Sequence, residues 1–311
     1  MPTRREFVQV TAAAGAATLL APGSVFGADD GRAPGFRGTL CFFSKHLPAM
    51  DAPRLGRTLK TLGFGGVDLT VRPGGHIDPK RVAQDLPPFV AGIRKEGLAV
   101  SMITTEIVSD ADPVARPTLE TAASLGIPYF KPGYYRYAFV DARKERDAAA
   151  AQLRGVAALS AATGVHLGFH NHSGYIGGNI WDIAPVIDML DPQWAGYYFD
   201  VRHAVVEGGD GGWRTAFSLA APRLPMIALK DFFWERTAAG WRIKNCPMGE
   251  GMVNWKAYFG MLAKAGFHGP TSLHLEYDIP GATAEAVEAN TISAAAKDLA
   301  FITARIAEAY A

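Results

Sequence analysis

Residues 151–172 read AQLRGVAALSAATGVHLGFHNH. Small and aliphatic residues at helical spacing run up to Gly164, and a short apolar stretch, 165–170, then ends on His170, with His172 two residues further on. A glycine just past a helical pattern fits a left-handed C-terminal cap. Helix, glycine and apolar strand in that order make the connection of a parallel sheet. A strand that is apolar without alternation is covered on both faces. The polar side chains stand where the strand gives way to a loop.

The same unit recurs along the chain. Apolar β-type runs occupy residues 39–43, 66–69, 99–104, 129–131, 165–170, 196–200, 226–230 and 272–276. Helical patterns start near residues 52, 79, 113, 141, 180, 212 and 253, and a last one spans about 283–309. Asp51, Asp78 and Asp112 precede helical patterns, where a carboxylate can cap free N–H groups. Pro79 and Pro113 take first-turn positions, where a missing N–H costs nothing. Gly63, Gly97, Gly126 and Gly266 repeat the role of Gly164. Eight strand–helix units over this length predict a single α/β domain, a closed (β/α)8 TIM barrel, rather than an open sheet. No GxGxxG or P-loop follows the first strand, which argues against a dinucleotide fold. The glycine run 208–212 (GGDGG) lacks a P-loop lysine and serine and reads as a flexible loop.

Composition narrows the function. The chain has 311 residues, is 49% hydrophobic and 20% charged, and carries a formal net charge of +1. With both signs dispersed and no basic stripe, nucleic acid is excluded as the expected partner. Two cysteines, Cys41 and Cys246, cannot build a disulfide framework; Cys41 reads as a core thiol and Cys246 as a loop residue. At the N-terminus, Arg4 and Arg5 precede a mild apolar stretch, 8–21, and small residues follow it. This resembles a twin-arginine export signal over residues 1–28, followed by a tether at 29–35 and the barrel at 36–311. The apolar stretch is too short and too rich in Ala and Gly for a stable membrane span. The expected location is the periplasm or the exterior.

In a closed barrel, catalytic groups gather at the C-terminal ends of the strands. Residues two apart on a strand share a face, so His170 with His172, Ala228 with Lys230, and His274 with Glu276 can each point to the mouth. His170, Asp200 and Glu276 then form a candidate metal set, because imidazole and carboxylate suit a divalent ion such as Mn²⁺, Zn²⁺, Co²⁺ or Mg²⁺. Glu276, Lys230, His203, Glu106 and His172 are the candidate catalytic residues, with Lys45 a further cation for an oxyanion. Tyr134, Tyr135, Tyr137 and Phe139 follow the fourth strand. Phe232, Phe233, Trp234 and Trp241 follow the seventh, at the head of a long segment, 232–254. Aromatic faces at a barrel mouth suit a sugar ring, and a segment of that length is expected to cover the pocket.

The motifs FSKHL (43–47), GGVDLT (65–70), FHNHSG (169–174), FDVRH (199–203), LKD (229–231), MGEGMVNW (248–255) and LHLEYD (273–278) occur in this order. With them the chain resembles the xylose isomerase-like, or apurinic-endonuclease-2-like, barrel superfamily. The resemblance implies a metal held by a carboxylate from the fifth strand, Asp from the sixth, His from the seventh and Glu from the eighth. Asp200 and Glu276 match two of these, and His203 matches a histidine that lies near substrate. His170 stands where the fifth-strand carboxylate is expected and Ala228 where the seventh-strand histidine is expected. The site then either uses a substitute ligand, such as His172 or His274, or binds metal weakly, or works without it. The implied activity is a metal-assisted isomerase or epimerase that removes a proton next to a carbonyl of a sugar or keto-sugar. A keto-sugar lyase or dehydratase on the same site and a non-catalytic sugar-binding barrel are the alternatives. Hydrolysis of abasic DNA is set aside, because its three-zinc site is broken at Lys131 and Ala228. Barrels of this kind often associate into homo-oligomers.

Replacing Arg4 and Arg5 by lysine in the full chain should hold the protein in the cytoplasm with its leader uncleaved, read by immunoblot of cell fractions. Undiminished export of that variant would remove the twin-arginine reading.

Overall fold

The computed structural model describes residues 35–311; the paired-arginine leader and almost all of the tether lie outside the described residues. Ten strands and eight α-helices follow one another as β1 (Leu40–Phe43), α1 (Ala52–Leu62), β2 (Gly66–Thr70), α2 (Val82–Lys95), β3 (Ala99–Thr104), α3 (Ala115–Ser124), β4 (Tyr129–Lys131), α4 (Ala142–Thr163) and β5 (His166–His170). The second half runs α5 (Ile180–Ile187), β6 (Ala195–Asp200), α6 (Val201–Ala220), β7 (Met226–Leu229), β8 (Asp231–Thr237), β9 (Gly240–Cys246), α7 (Trp255–Lys264), β10 (Thr271–Leu273) and α8 (Ala284–Ala309). Eight strands close a parallel barrel in the order β1-β10-β7-β6-β5-β4-β3-β2, as the sequence predicts.

Local chemistry sets the element ends. The Asp51 carboxylate accepts from Arg54 N at 2.9 Å and caps α1. Gly63 and Gly164 close α1 and α4 at φ 100° and 77°, a conformation that costs a side-chain-bearing residue. The apolar faces of the helices pack on the outside of the barrel through residues such as Leu55, Ile93, Leu153, Phe217 and Leu262. Inside the barrel, Met102, Tyr198, Met226 and Ala228 form a smaller apolar cluster. Beside it Asp68 accepts from Thr104 Oγ1 at 2.7 Å, Ser272 Oγ at 2.8 Å and Tyr198 OH at 3.1 Å. A buried carboxylate is tolerated there because three hydroxyls from three strands surround it.

Two stretches differ from the sequence reading. The glycine run 208–212 is not an open loop: α6 begins directly after Asp200, at Val201, and consists of two helical segments that meet at a kink at Gly209. Only Gly209, at φ 60° and ψ −162°, breaks the helical geometry. The long segment after β7 is largely an antiparallel hairpin, β8 paired with β9, which pairs outside the barrel. Its return is fixed by Asp231, a buried side chain that accepts from Gly249 N at 3.0 Å, Gly251 N at 3.1 Å, Val253 N at 3.3 Å and Trp255 Nε1 at 2.8 Å. The LKD and MGEGMVNW motifs are thus two halves of one structural device. Cys246 ends β9 and is buried, not in a loop.

Asp231→Ala would leave five N–H donors, those of Phe232, Gly249, Gly251, Val253 and the Trp255 indole, without this acceptor. The folded state should lose about 3 kcal/mol or more, measured by urea denaturation. An unchanged midpoint would show that the hairpin return is held by other contacts.

Candidate active site

Asp200 ends β6 and is fully buried. Its Oδ1 accepts from His203 N at 3.1 Å and so caps α6. Its Oδ2 faces three nitrogens: Lys230 Nζ at 3.0 Å, His170 Nε2 at 3.1 Å and His203 Nε2 at 3.7 Å. Asn171 braces the corner from both sides, donating to Asp200 O at 3.0 Å and accepting from Asp200 N at 2.8 Å. The reach of Lys230 follows from the ladder. Ala228 lies opposite Asp200 in register, and two residues further on the same face of the chain meets the carboxylate.

Protonation follows from burial and charge. Burial alone would raise the Asp200 carboxyl, but Lys230, His203 and His170 outweigh it and hold the group well below the usual carboxylate range. His170 is pushed well below its ordinary value, first by burial and then by Lys230 and Lys131, against the pull of Asp200. It is therefore a neutral imidazole at pH 7. Its Nε2–H donates to Asp200, and Tyr134 OH donates to its Nδ1 at 2.9 Å. His172 is lowered to about 4, by burial first and Lys230 next. Its Nδ1–H donates to Ser173 O at 2.9 Å, which leaves the lone pair on Nε2.

Glu276 follows β10. Its carboxylate pairs with Lys45 Nζ at 2.9 Å and lies 3.7 Å from His274 Nδ1. Burial would raise it, yet His274, Lys230 and Lys45 together hold it far below the usual range. His274 stacks on Phe43 with ring centroids 4.3 Å apart, and its Nε2–H donates to Tyr198 OH at 3.1 Å. These groups surround a cavity of about 280 Å³ at the C-terminal end of the barrel, lined also by Arg72, Thr104, Lys131, Arg202 and Asn245. A wider depression of about 600 Å³ between the hairpin and α8 contains no histidine.

The barrel thus brings together Glu276, Lys230, His203, His172 and His170 around one cavity, with Asp200 directly beneath them. Glu106 lies elsewhere: it is exposed past the end of β3 and does not line the cavity. The ligand set also differs from the expected one. Among the described residues, the three groups whose donor atoms all lie within 4.8 Å of one another are His170, Asp200 and His203, a set that could hold a metal ion. Glu276 is outside it, its carboxylate paired with Lys45, and neither His172 nor His274 belongs to it in place of the histidine missing at Ala228. Of the aromatic residues, Tyr134 reaches the cavity. Tyr135 OH donates to Val108 O at 2.9 Å and Tyr137 OH to Asp182 at 2.8 Å, while Trp241 is exposed on the hairpin. Phe43 and Tyr198 line the cavity without having been signalled by the sequence. Neither were Arg72 and Arg202; for Arg202 the only signal was its place beside Asp200.

The profile of the xylose isomerase-like TIM barrel family matches residues 57–303, and the chain belongs to that family. A search of curated proteins gives no match. The structure of L-ribulose 3-epimerase superposes with a TM-score of 0.64 at 18% identity, over 88% of this chain and 95% of that one. 3-Keto-D-glucoside 4-epimerase YcjR from E. coli gives 0.65 at 16% identity, over 86% and 99%. A xylose isomerase-like TIM barrel protein from Mycobacterium smegmatis, in complex with magnesium, gives 0.64 at 15% identity, over 88% and 98%. At these identities the likeness is one of fold.

An ion at the His170–Asp200–His203 set meets two competitors. Lys230 already holds Asp200 Oδ2, and the Arg202 guanidinium donates to His203 Nδ1 at 2.9 Å. Removing the ammonium exposes an unpaired carboxylate. Lys230→Met should therefore bind Mn²⁺ about tenfold more tightly or better than the parent protein by titration calorimetry. Equal affinity would mean that the lysine does not contend for that oxygen.

Proposed function

We propose that this protein is an enzyme of carbohydrate chemistry that moves a proton at a carbon next to a carbonyl, isomerising or epimerising a sugar or keto-sugar. The observation that carries the reading is the placement of an ionised carboxylate, Glu276, and a neutral imidazole, His172, on one small cavity with the Lys230 ammonium. Proton transfer next to a carbonyl needs a base that is unprotonated at the working pH and a fixed positive group where the enediolate oxygen gains charge. Glu276 is the base in this reading, since its cationic neighbours keep it ionised. Lys230 is the electrostatic partner. Asp200 fixes its position, so no reorganisation is needed as charge develops. His172, with its lone pair on Nε2, is the second proton-transfer group. His203, packed on His172 with ring centroids 3.9 Å apart, orients it. Glu106, exposed and off the cavity, has no role in this reaction.

The donors at Asp200 fit a divalent ion in kind: two imidazoles and a carboxylate, with His203 Nε2 buried and without a hydrogen-bond partner. Bound by His170, Asp200 and His203, such an ion would supply Lewis-acid stabilisation of the developing negative charge. The family and the magnesium-bound relative support this assignment. His172 and Glu276 would keep the roles given above, while Lys230, which contends with the ion for Asp200 Oδ2, would yield that oxygen to it.

The test is solvent deuterium exchange. In deuterated buffer the wild-type protein should place deuterium on carbon in at least one member of a ketose and 3-keto-glycoside panel, read by mass spectrometry. Glu276→Gln should lower that rate by about 10²-fold or more. Saturable sugar binding with no exchange in the wild type would replace the enzyme reading with a binding barrel.

A further inference from the structure

The cavity is lined by five cationic side chains, Lys45, Arg72, Lys131, Arg202 and Lys230, against a single carboxylate, Glu276. Two of the five are accounted for, since Lys45 pairs with Glu276 and Lys230 with the underlying Asp200. Among the described residues Arg202 has no carboxylate in an ion pair; it is fixed instead by Asn245 Oδ1 at 2.5 Å and His203 Nδ1 at 2.9 Å. Among the described residues the Arg72 side chain makes no hydrogen bond or ion pair and only passes over the Phe43 ring at 5.8 Å. Lys131 is the most unusual. It is 2% exposed, its Nζ sits 3.4 Å above the Tyr134 ring, and no acceptor among the described residues meets it. Asp68 and Glu106 act on it only from beyond ion-pair distance, and Asp68 is already engaged by three hydroxyls.

Burying a lysine without an acceptor is costly, and bringing an arginine towards it costs more. Both effects disfavour charge on Lys131: burial leads, and Arg72 is its strongest charged neighbour. An arrangement of this kind is relieved by a bound anion. Lysine and arginine only donate hydrogen bonds, whereas sugar hydroxyls both donate and accept. Free donor-only groups on a cavity wall therefore match an acceptor-only partner, a carboxylate or a phosphate. A volume of about 280 Å³ limits that partner to roughly the size of a monosaccharide.

We propose that Arg72 and Lys131 form an anion subsite in this cavity, and that the sugar it takes carries a carboxylate or phosphate group. The inference rests on the reading of the cavity as a carbohydrate site and adds the chemical class of the substrate. Arg72, half-buried at the rim beyond β2, meets the anion first. Lys131, at the end of β4, holds it from within, and the Tyr134 ring beneath its ammonium keeps the side chain in place.

Calorimetric titration with matched pairs tests it: D-glucose against D-glucuronate, and D-fructose against D-fructose 6-phosphate. The expected result is that the anionic member of at least one pair binds about tenfold tighter or better. The pair that shows the preference separates carboxylate from phosphate. Lys131→Gln and Arg72→Gln should each remove most of that preference and leave the neutral member's affinity within about twofold. Arg72 is part-exposed, so its variant reports on binding even if the buried substitution disturbs folding. No preference in either pair, or a preference that survives in Arg72→Gln, would overturn the subsite. Exchange of deuterium into a neutral ketose without anion preference would sink this inference and leave the enzyme reading standing. Preferential anion binding without exchange in any sugar would do the reverse.

Discussion

A buried carboxylate shared by an ammonium and a neutral imidazole organises this barrel mouth. Asp200 has no access to water, so its charge persists only because Lys230 and His170 donate to one oxygen while the first turn of α6 donates to the other. The same contacts place the cation over the cavity, set the His170 tautomer and start α6 without a connecting loop. Removing Lys230 or Asp200 would leave an uncompensated charge in a low-dielectric place, and removing His170 would strip a hydrogen bond from the buried carboxylate. The corner therefore behaves as a unit, and the rest of the site is arranged around it.

Around this corner the charges are graded. Glu276 and Asp200 are ionised, the imidazoles of His170, His172 and His203 are neutral, and Lys45 and Lys230 are paired. Acid and base work at neutral pH needs this kind of separation, with each group held to one protonation state by its surroundings. Arg72 and Lys131 stand apart from the graded set. Among the described residues no carboxylate pairs with either, and the charge that burial and Arg72 disfavour on Lys131 would be favoured by a substrate carrying its own negative charge.

The barrel was legible in the sequence because its strands are covered on both faces and so read as continuous apolar runs, each ending on a polar residue. His170, Asp200 and Lys230 could be placed at one mouth from strand position alone. The hairpin Asp231–Thr237 and Gly240–Cys246 escaped notice because its exposed face carries Glu235, Arg242 and Lys244, which look like loop. The glycines at 208–212 suggested a break five residues wide, whereas the break is a kink at Gly209 alone, and the helical segment past it buries Trp213 and Phe217. Glu276 was expected at the ion because alternation fixes a side chain's face but not its partner, and Lys45 arrives from residues far away in sequence. Arg72 and Arg202 were missed for a related reason. An arginine in a loop or a first helical turn is ordinarily solvated, and only three-dimensional closure turns these two inward.

The central claim is the protonation pattern at Asp200, and nitrogen-15 NMR of the metal-free protein reads it directly. The account predicts that His170 stays neutral, with its proton on Nε2, from pH 5 to pH 8. A His170 imidazolium that titrates within that range would contradict it, because Asp200 would then be balanced by histidine rather than by Lys230.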